Sequence, residues 1–210
     1  MSLPRLYPIL DTATLAKRCL ALVEAAEVML EAGVEILQLR HKGPFLRPIF
    51  ESVEKIAARC QDAGALFIVD DRADIARLVN AGLHLGQDDL PAAAARKILG
   101  AEAIIGLSTH NEEQLRRAES EPVDYLALGP IFGTQTKERP DPVVGVENLR
   151  QWRPLVKRPL VAIGGITRER ARQVIEAGAD SVAVISDLYP EPCTRESLRA
   201  RVLEWLRVLR

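Results

Sequence analysis

The sequence predicts a closed (β/α)₈ barrel, an α/β fold built as a single domain over residues 1–210. First, eight short runs of β-type residues alternate with eight longer runs at helical spacing. Second, the β-type runs are continuously apolar, which indicates strands that are buried on both faces and paired in parallel. Third, no Gly-x-Gly-x-x-Gly motif follows the first strand, and this disfavours the competing doubly wound open sheet.

The predicted strands recur along the whole chain and consist mainly of β-branched, aromatic and other apolar residues. In order they read LYPIL, ILQLR, LFIV, LHL, IIGL, YLAL, LVAI and SVAV, at residues 6–10, 36–40, 66–69, 83–85, 104–107, 125–128, 160–163 and 181–184. Each strand leads into a helical run, so its C-terminal end opens into a βα loop. In a barrel all eight of these ends lie on one rim, where the chemistry of such folds is located.

The predicted helices have apolar residues at three- and four-residue spacing, which favours amphipathic helices packed outside the strands. Several end in Ala-Gly directly before a strand, as at Gly33, Gly64 and Gly178, because glycine readily takes the left-handed conformation that caps a helix. The predicted bounds are 15–32, 46–63, 74–80, 92–99, 112–119, 146–155, 168–177 and 195–209.

Composition restricts the class of partner. The chain is 48% hydrophobic and 27% charged, with a net charge of −1 and no basic stripe, which excludes nucleic acid and membrane surfaces as expected partners. No apolar run approaches the ~20 residues that a membrane span needs. The three cysteines lie far apart and predict reduced thiols in a cytoplasmic protein. We therefore expect small-molecule ligands, and the sequence also allows a homo-oligomer.

Paired aspartates stand at the ends of two neighbouring predicted strands. Asp70 and Asp71 follow the third strand, and Asp88 and Asp89 follow the fourth. Because neighbouring strands lie ~4.8 Å apart, Asp71 and Asp89 can converge on one point. A few hard oxygen ligands of this kind suit Mg²⁺ that is shared with the phosphates of a substrate. The alternative is that these aspartates only cap the helices that follow.

Basic and glycine-rich segments at other strand ends predict phosphate binding. Arg40, Lys42 and Lys137 lie where they can grip the phosphates beside the acidic pairs. Gly164-Gly165 and Ile185-Ser186 follow strands 7 and 8, where barrels often bind a phosphate through backbone N–H groups. The long loop 129–145 carries Thr134-Gln135-Thr136-Lys137 without an apolar anchor, which is typical of a functional loop.

Two histidines have competing interpretations. His110 follows strand 5, where it can act as an acid or base or simply form a hydrogen bond beside the pocket. His84 lies within an apolar strand and is expected to be a hydrogen-bonded core residue.

The strand-end motifs, taken together, resemble one family. The chain is similar to thiamine phosphate synthases from about Tyr7 to Leu188, with the motifs in family order. These motifs are Gln38-Leu-Arg-His-Lys42, Asp70-Asp-Arg72, His84-Leu-Gly-Gln-Asp-Asp89, Gly106-Leu-Ser-Thr-His110, Gly129-Pro-Ile-Phe-Gly-Thr-Gln-Thr-Lys137, Ile163-Gly-Gly-Ile166 and Val184-Ile-Ser186. The family is a (β/α)₈ barrel that joins a pyrimidine pyrophosphate to a thiazole phosphate.

The resemblance implies roles for the matching positions. It places Gln38, Arg40, Lys42, Asp70, Ser108 and Lys137 around the pyrimidine pyrophosphate, Asp71 and Asp89 on Mg²⁺, and Thr134, Gln135, Thr136, Gly165, Ile185 and Ser186 around the thiazole phosphate. Departure of pyrophosphate, assisted by Mg²⁺, Arg40, Lys42 and Lys137, would leave a pyrimidine cation that the thiazole nitrogen attacks. One position departs from the family, which usually has asparagine where this chain has Asp70.

Three alternatives stay open at this point. A thiazole tautomerase shares the barrel and uses a histidine, and His110 lies where that histidine would be. However, a tautomerase has no need of Asp71, Asp89, Lys42 and Lys137. A non-catalytic phosphate-binding barrel would not need that set either, and a sugar-phosphate isomerase or epimerase would need a base that only His110 offers.

Overall fold

The computed structural model describes residues 2–133 and 141–210, and they form a closed barrel of eight parallel strands. The strands pair in chain order, and β8 pairs with β1 to close the barrel. Their bounds are β1 Leu6–Asp11, β2 Ile36–Arg40, β3 Leu66–Asp70, β4 Gly82–Leu85, β5 Ile105–Thr109, β6 Tyr125–Leu128, β7 Leu160–Ile163 and β8 Ser181–Val184. The predicted fold class is confirmed, and the predicted strand ends differ from these by no more than two residues.

Helices follow the strands on the outside of the barrel. They are α1 Thr12–Lys17, α2 Leu22–Glu31, α3 Arg47–Ala63, α4 Ala73–Leu78, α5 Ala92–Leu99, α6 Glu112–Ala118, α7 Gly145–Trp152, α8 Arg168–Glu176 and α9 Arg195–Val208. Short 3₁₀ turns occupy Arg153–Leu155 and Ser186–Leu188. Every helix within residues 2–133 and 141–210 is too short or too polar to span a bilayer.

The predicted helix 15–32 was wrong, because the chain forms α1 and α2 there with a break between them. Cys19 takes a left-handed backbone conformation, with φ of 54°, that interrupts the helix. Leu15 and Leu20 are both buried on either side of the break. Residues five positions apart on one continuous helix point in clearly different directions, so the turn lets both leucines face the core.

Two ion pairs connect neighbouring strands at their N-terminal ends, on the face of the barrel opposite the functional rim. Asp124, directly before β6, accepts from the first backbone N–H of β5 at 2.8 Å and from Arg96 Nη2 at 2.7 Å. Asp180, directly before β8, accepts from the first N–H of β7 at 2.8 Å and from Arg153 Nη2 at 3.1 Å. We call these two arrangements the bottom clamps. Each joins two neighbouring strands through hydrogen bonds to a charged group, which are stronger than neutral ones.

The interior of the barrel is filled by a small apolar cluster that includes two tyrosines, Tyr7 and Tyr125. The Tyr125 ring lies directly against Gly106 of β5, and a Cβ added to Gly106 would be 2.0 Å from the Tyr125 Cζ. A larger cluster fills the layer between the strands and the helices. The absence of a side chain at Gly106 therefore makes the room for an aromatic ring inside the barrel.

We expect Gly106→Ala to lower the free energy of unfolding by about 1–3 kcal/mol, because the added methyl overpacks the interior against Tyr125. Urea denaturation followed by circular dichroism measures this change. Gly133→Ala is the control, since no atom of the described residues lies within 4 Å of the Cβ that it adds. Equal stability of the two variants would contradict this account of the interior.

Candidate active site

A cavity of about 530 Å³ opens at the rim formed by the C-terminal ends of the strands. It is lined by every predicted site residue that the structure describes, namely Gln38, Arg40, Lys42, Asp70, Asp71, Asp89, Ser108, Gly165, Ile185 and Ser186. Thr134, Gln135, Thr136 and Lys137 lie outside the described residues. The barrel thus collects ten residues from six strand ends in one cavity, while the role of each stays a prediction.

Charged side chains form a continuous row along one side of this cavity, and all of them except Asp11 line it. In order along the row they are Asp11, Arg40, Asp70, Lys42, Asp71 and Asp89, which we call the charged row. Arg40 Nη1 donates to Asp11 Oδ2 at 2.6 Å, and Arg40 Nε is 3.8 Å from Asp70 Oδ2. Lys42 Nζ is 2.9 Å from Asp70 Oδ2 and also contacts Asp71. The row contains four carboxylates and two cations, so its net charge is −2 when it is fully ionised.

Asp70 is the buried centre of the row. Only 8% of the residue is exposed, and burial raises the pKa of its carboxyl group although Lys42 and Arg40 act in the opposite direction. Burial also opposes the charge of Lys42, but attraction to Asp70 and Asp71 outweighs it and raises the pKa of Lys42. The extra negative charge expected from the sequence at Asp70 is therefore paired with both neighbouring cations.

Asp71 and Asp89 bring two carboxylates into direct contact at the end of the row. Asp71 has a left-handed backbone with φ of 63°, which is uncommon for a residue with a side chain, and its N–H donates to the carbonyl of His84 at 2.9 Å. Asp89 Oδ2 accepts from the N–H of Gly86 at 2.6 Å. Burial, followed by the neighbouring Asp71, raises the pKa of Asp89. The two acids converge as the sequence predicts.

The described residues contain no cluster of three or more His, Cys, Asp or Glu side chains that could hold a metal ion by itself. The contact between Asp71 and Asp89 therefore offers two oxygen-bearing groups, with the rest of a coordination shell left to water or substrate. Mg²⁺ is commonly bound by one or two carboxylates together with substrate phosphates. The charged row has a net charge of −2 when it is fully ionised, and this excess fits a divalent cation at the contact between Asp71 and Asp89.

A chain of hydrogen bonds crosses the floor of the cavity, and we call it the floor chain. Gln38 Nε2 donates to the Tyr7 hydroxyl at 3.1 Å, and this hydroxyl is 2.7 Å from that of Tyr125. The Tyr125 hydroxyl is 2.9 Å from His84 Nδ1, and His84 Nε2 is 2.8 Å from Ser108 Oγ. His84 is the buried, hydrogen-bonded residue that the sequence predicts, but it also lines the cavity.

The opposite side of the cavity is formed by backbone close to glycine. Gly165 has φ of 62°, and a Cβ there would be 2.4 Å from the carbonyl oxygen of Gly133. Phe132 N–H donates to the carbonyl of Gly164 at 2.9 Å, so the segment after β6 runs alongside the end of β7. Ser186 begins a 3₁₀ turn directly after β8. This close backbone approach requires glycine at position 165.

His110 lines the cavity and is held by its surroundings. Its Nδ1 is 2.6 Å from the carbonyl oxygen of Gly129, so Nδ1 carries the proton and donates it to this acceptor. The same nitrogen is 3.5 Å from Asp141 Oδ2. These contacts fix the ring orientation and give His110 a hydrogen bond beside the pocket, which is one of the two interpretations of this residue from the sequence.

Sequence reasoning missed three residues of the site. Asp11, at the end of β1, is buried, and it accepts hydrogen bonds from the Thr14 backbone N–H at 2.8 Å and from Arg40. Burial alone would raise the pKa of Asp11, but these hydrogen bonds outweigh burial and lower it. An acid at the end of an apolar strand was the signal for Asp11. Tyr7 and Tyr125 gave no comparable signal, because tyrosine is also common in purely structural strands.

The fold and the cavity define a (β/α)₈ barrel of the kind that binds phosphorylated small molecules at its C-terminal rim. A family model described as thiamine monophosphate synthase matches residues 6–188. The chain therefore belongs to the thiamine monophosphate synthase family.

Individual relatives agree with this assignment. A thiamine-phosphate synthase of Koribacter versatilis is 45% identical over 100% of this chain and 97% of its own length. One from Chlorobium phaeovibrioides is 46% identical over 87% of this chain and 88% of its own. The solved structure of a thiamine phosphate pyrophosphorylase from Pyrococcus furiosus is similar with a TM-score of 0.84 and 34% identity, covering 98% of this chain and 95% of that one.

We expect Asp89→Asn to stabilise the metal-free protein at neutral pH, because the raised pKa of Asp89 means that its charged form is disfavoured in the folded state. Wild-type protein should regain stability relative to the variant as the pH falls towards the pKa of Asp89, where protonation removes the repulsion from Asp71. Urea denaturation with a chelator at neutral and at acidic pH measures the difference. A variant that is less stable than wild type at neutral pH would contradict this cost of the charged form, to which burial contributes most and Asp71 adds.

Proposed function

We propose that this protein is a thiamine-phosphate synthase, a transferase of the class EC 2.5.1.3. It couples 4-amino-2-methyl-5-hydroxymethylpyrimidine pyrophosphate with thiazole phosphate and releases pyrophosphate. The observation that carries the proposal is the charged row, which faces the Gly165 and Ser186 side across a single cavity. Membership of the family, together with relatives that bear this name over nearly the full chain, supports the same activity.

The cavity divides into two ends in this proposal. Gln38, Arg40, Lys42 and Ser108 would bind the pyrimidine pyrophosphate, with the predicted help of Lys137 and with Asp70 holding the two cations in place. Gly165, Ile185 and Ser186 would bind the thiazole phosphate, together with the predicted Thr134, Gln135 and Thr136. Arginine and lysine suit the first end because they form strong hydrogen bonds with phosphate oxygens.

We assign the metal position to Asp71 and Asp89. Their contact and the net negative charge of the row support a divalent cation, and Mg²⁺ is the ion whose usual ligands match. When bound there, Mg²⁺ would neutralise negative charge on the pyrophosphate.

The protein's part in the reaction is electrostatic. The bond between the pyrimidine methylene carbon and the pyrophosphate oxygen breaks, and its electron pair leaves with the pyrophosphate. Arg40, Lys42 and the predicted Lys137 stabilise that leaving charge. The thiazole nitrogen then forms the new bond to the methylene carbon. Positioning of two substrates and exclusion of water are sufficient for this chemistry, and no protein nucleophile is required.

The proposed setting is the cytoplasm, with two small molecules as the partners of the site. Cys19, Cys60 and Cys193 are free thiols, which fits a reducing compartment. Burial raises the pKa of Cys60 to about 12, so its thiol stays protonated and serves in packing.

Incubation of the purified protein with both substrates should yield pyrophosphate and thiamine phosphate only when Mg²⁺ is present. Asp71→Ala and Asp89→Ala should each lose most of this turnover while remaining folded. Asp74→Ala is the matched control, since Asp74 follows the same strand as Asp71 but pairs with Arg72 outside the cavity. Near wild-type rates in either cavity variant at limiting Mg²⁺ would refute the metal assignment.

We expect His110→Ala to retain coupling of the correct thiazole isomer, because the proposed chemistry needs no general base at that position. The measurement is kcat at saturating concentrations of both substrates. A loss of the ~10²–10⁴-fold that follows removal of a general acid or base would instead favour the tautomerase-like alternative. The relatives described above are synthases by name and give that alternative no support.

A further inference from the structure

We propose that the floor chain has one fixed direction and that it holds the Ser108 hydroxyl as a hydrogen-bond donor towards the cavity. In this proposal Tyr7, Tyr125 and His84 are positioning residues that act on substrate through Ser108. The chain runs from Gln38 through the two tyrosines and the histidine to Ser108. The part that concerns substrate rests on the proposed function.

The direction begins at Gln38. Its side-chain Nε2 can only donate, and it donates to the Tyr7 oxygen. Among the described residues the Tyr7 hydroxyl has two hydrogen bonds, one from Gln38 and one with Tyr125. The single proton of Tyr7 therefore goes to the Tyr125 oxygen. In the reverse direction Tyr7 would accept twice, and its own buried proton would have no acceptor among the described residues, which is costly.

The order then continues through Tyr125. Since Tyr125 accepts from Tyr7, its own proton is directed to the nitrogen 2.9 Å away, His84 Nδ1. Both tyrosines are fully buried, and burial raises the pKa of each hydroxyl. Both hydroxyls therefore keep the proton that each donates to the next member of the floor chain. The ring of Tyr125 is also held in place by packing against Gly106, which limits its freedom to turn away.

His84 transmits the direction to the cavity. A neutral imidazole that accepts at Nδ1 carries its proton on Nε2, and Nε2 lies 2.8 Å from Ser108 Oγ. The Ser108 oxygen is then the acceptor of this bond, so its own proton points elsewhere. Ser108 and His84 both line the cavity, where an anionic oxygen would receive that proton. The floor chain therefore prepares the Ser108 hydroxyl to donate a hydrogen bond to a pyrophosphate oxygen, because an anion accepts hydrogen bonds and cannot donate them.

The direct test is the protonation of the two His84 ring nitrogens in free protein. The protein contains three histidines. The variants His41→Gln and His110→Gln therefore assign the His84 signals by elimination in ¹H–¹⁵N spectra of ¹⁵N-histidine-labelled protein. We expect a bare Nδ1 and a protonated Nε2. A proton on Nδ1, alone or on both nitrogens, would overturn the proposal.

Tyr125→Phe keeps the ring and removes the link. It should shift the His84 nitrogen signals and raise the KM for pyrimidine pyrophosphate by about tenfold or less, the range of one neutral hydrogen bond, while the KM for thiazole phosphate stays unchanged. Tyr189→Phe is the matched control, because Tyr189 is equally buried and its hydroxyl donates to the Ile9 carbonyl at 2.8 Å, outside the floor chain.

The outcomes separate this proposal from the proposed function. An unchanged KM for pyrimidine pyrophosphate in Tyr125→Phe, or the same change in Tyr189→Phe, would make the floor chain purely structural and overturn the proposal. The nitrogen spectrum needs no substrate. If the expected tautomer is found in a protein without synthase activity, the proposed function and the role of Ser108 towards pyrophosphate are refuted. The direction of the floor chain would still stand.

Discussion

The ion pairing of Asp70 with Lys42 and Arg40 is the interaction on which the site depends. A carboxylate buried to this extent is strongly disfavoured unless cations lie beside it, and removing one partner of such a group is usually far more costly than losing a surface pair. The cations come from the end of β2 and the carboxylate from the end of β3. The parallel register of these strands, in which Leu39 pairs with Val69, brings them to the same height.

The same arrangement explains how the cavity can be rich in charge and still be part of a stable fold. Opposite charges alternate from Asp11 to Lys42, so most of the row compensates itself within the protein. The excess negative charge lies at the end of the row, where Lys42 is shared between Asp70 and Asp71 and where Asp71 meets Asp89. The first part of the row therefore organises the cavity, and the excess charge at its end is left for ligands. Such local destabilisation at a site is a common feature of enzymes.

The sequence predicted the parts of this molecule that depend on local pattern. Strand positions and the polar residues at their ends followed from apolar runs and their boundaries, and the barrel placed those ends on one rim. Features that depend on distant contacts were missed. Tyr7 and Tyr125 are 118 positions apart, and their hydroxyls meet only because the barrel closes around them. The break at Cys19 was missed because helical spacing on both sides of it continues with little interruption, although the left-handed residue turns the chain.

The bottom clamps give the barrel a modular construction. The first clamp is contained in residues 96–124 and the second in residues 153–180, so each is complete within its own stretch of chain. A boundary placed between positions 124 and 153 leaves both intact. If segments are exchanged with a homologous barrel at such a boundary, each segment keeps its own bottom clamp. The loops at the C-terminal rim can then be combined from two proteins without changing the contacts at the N-terminal ends of the strands.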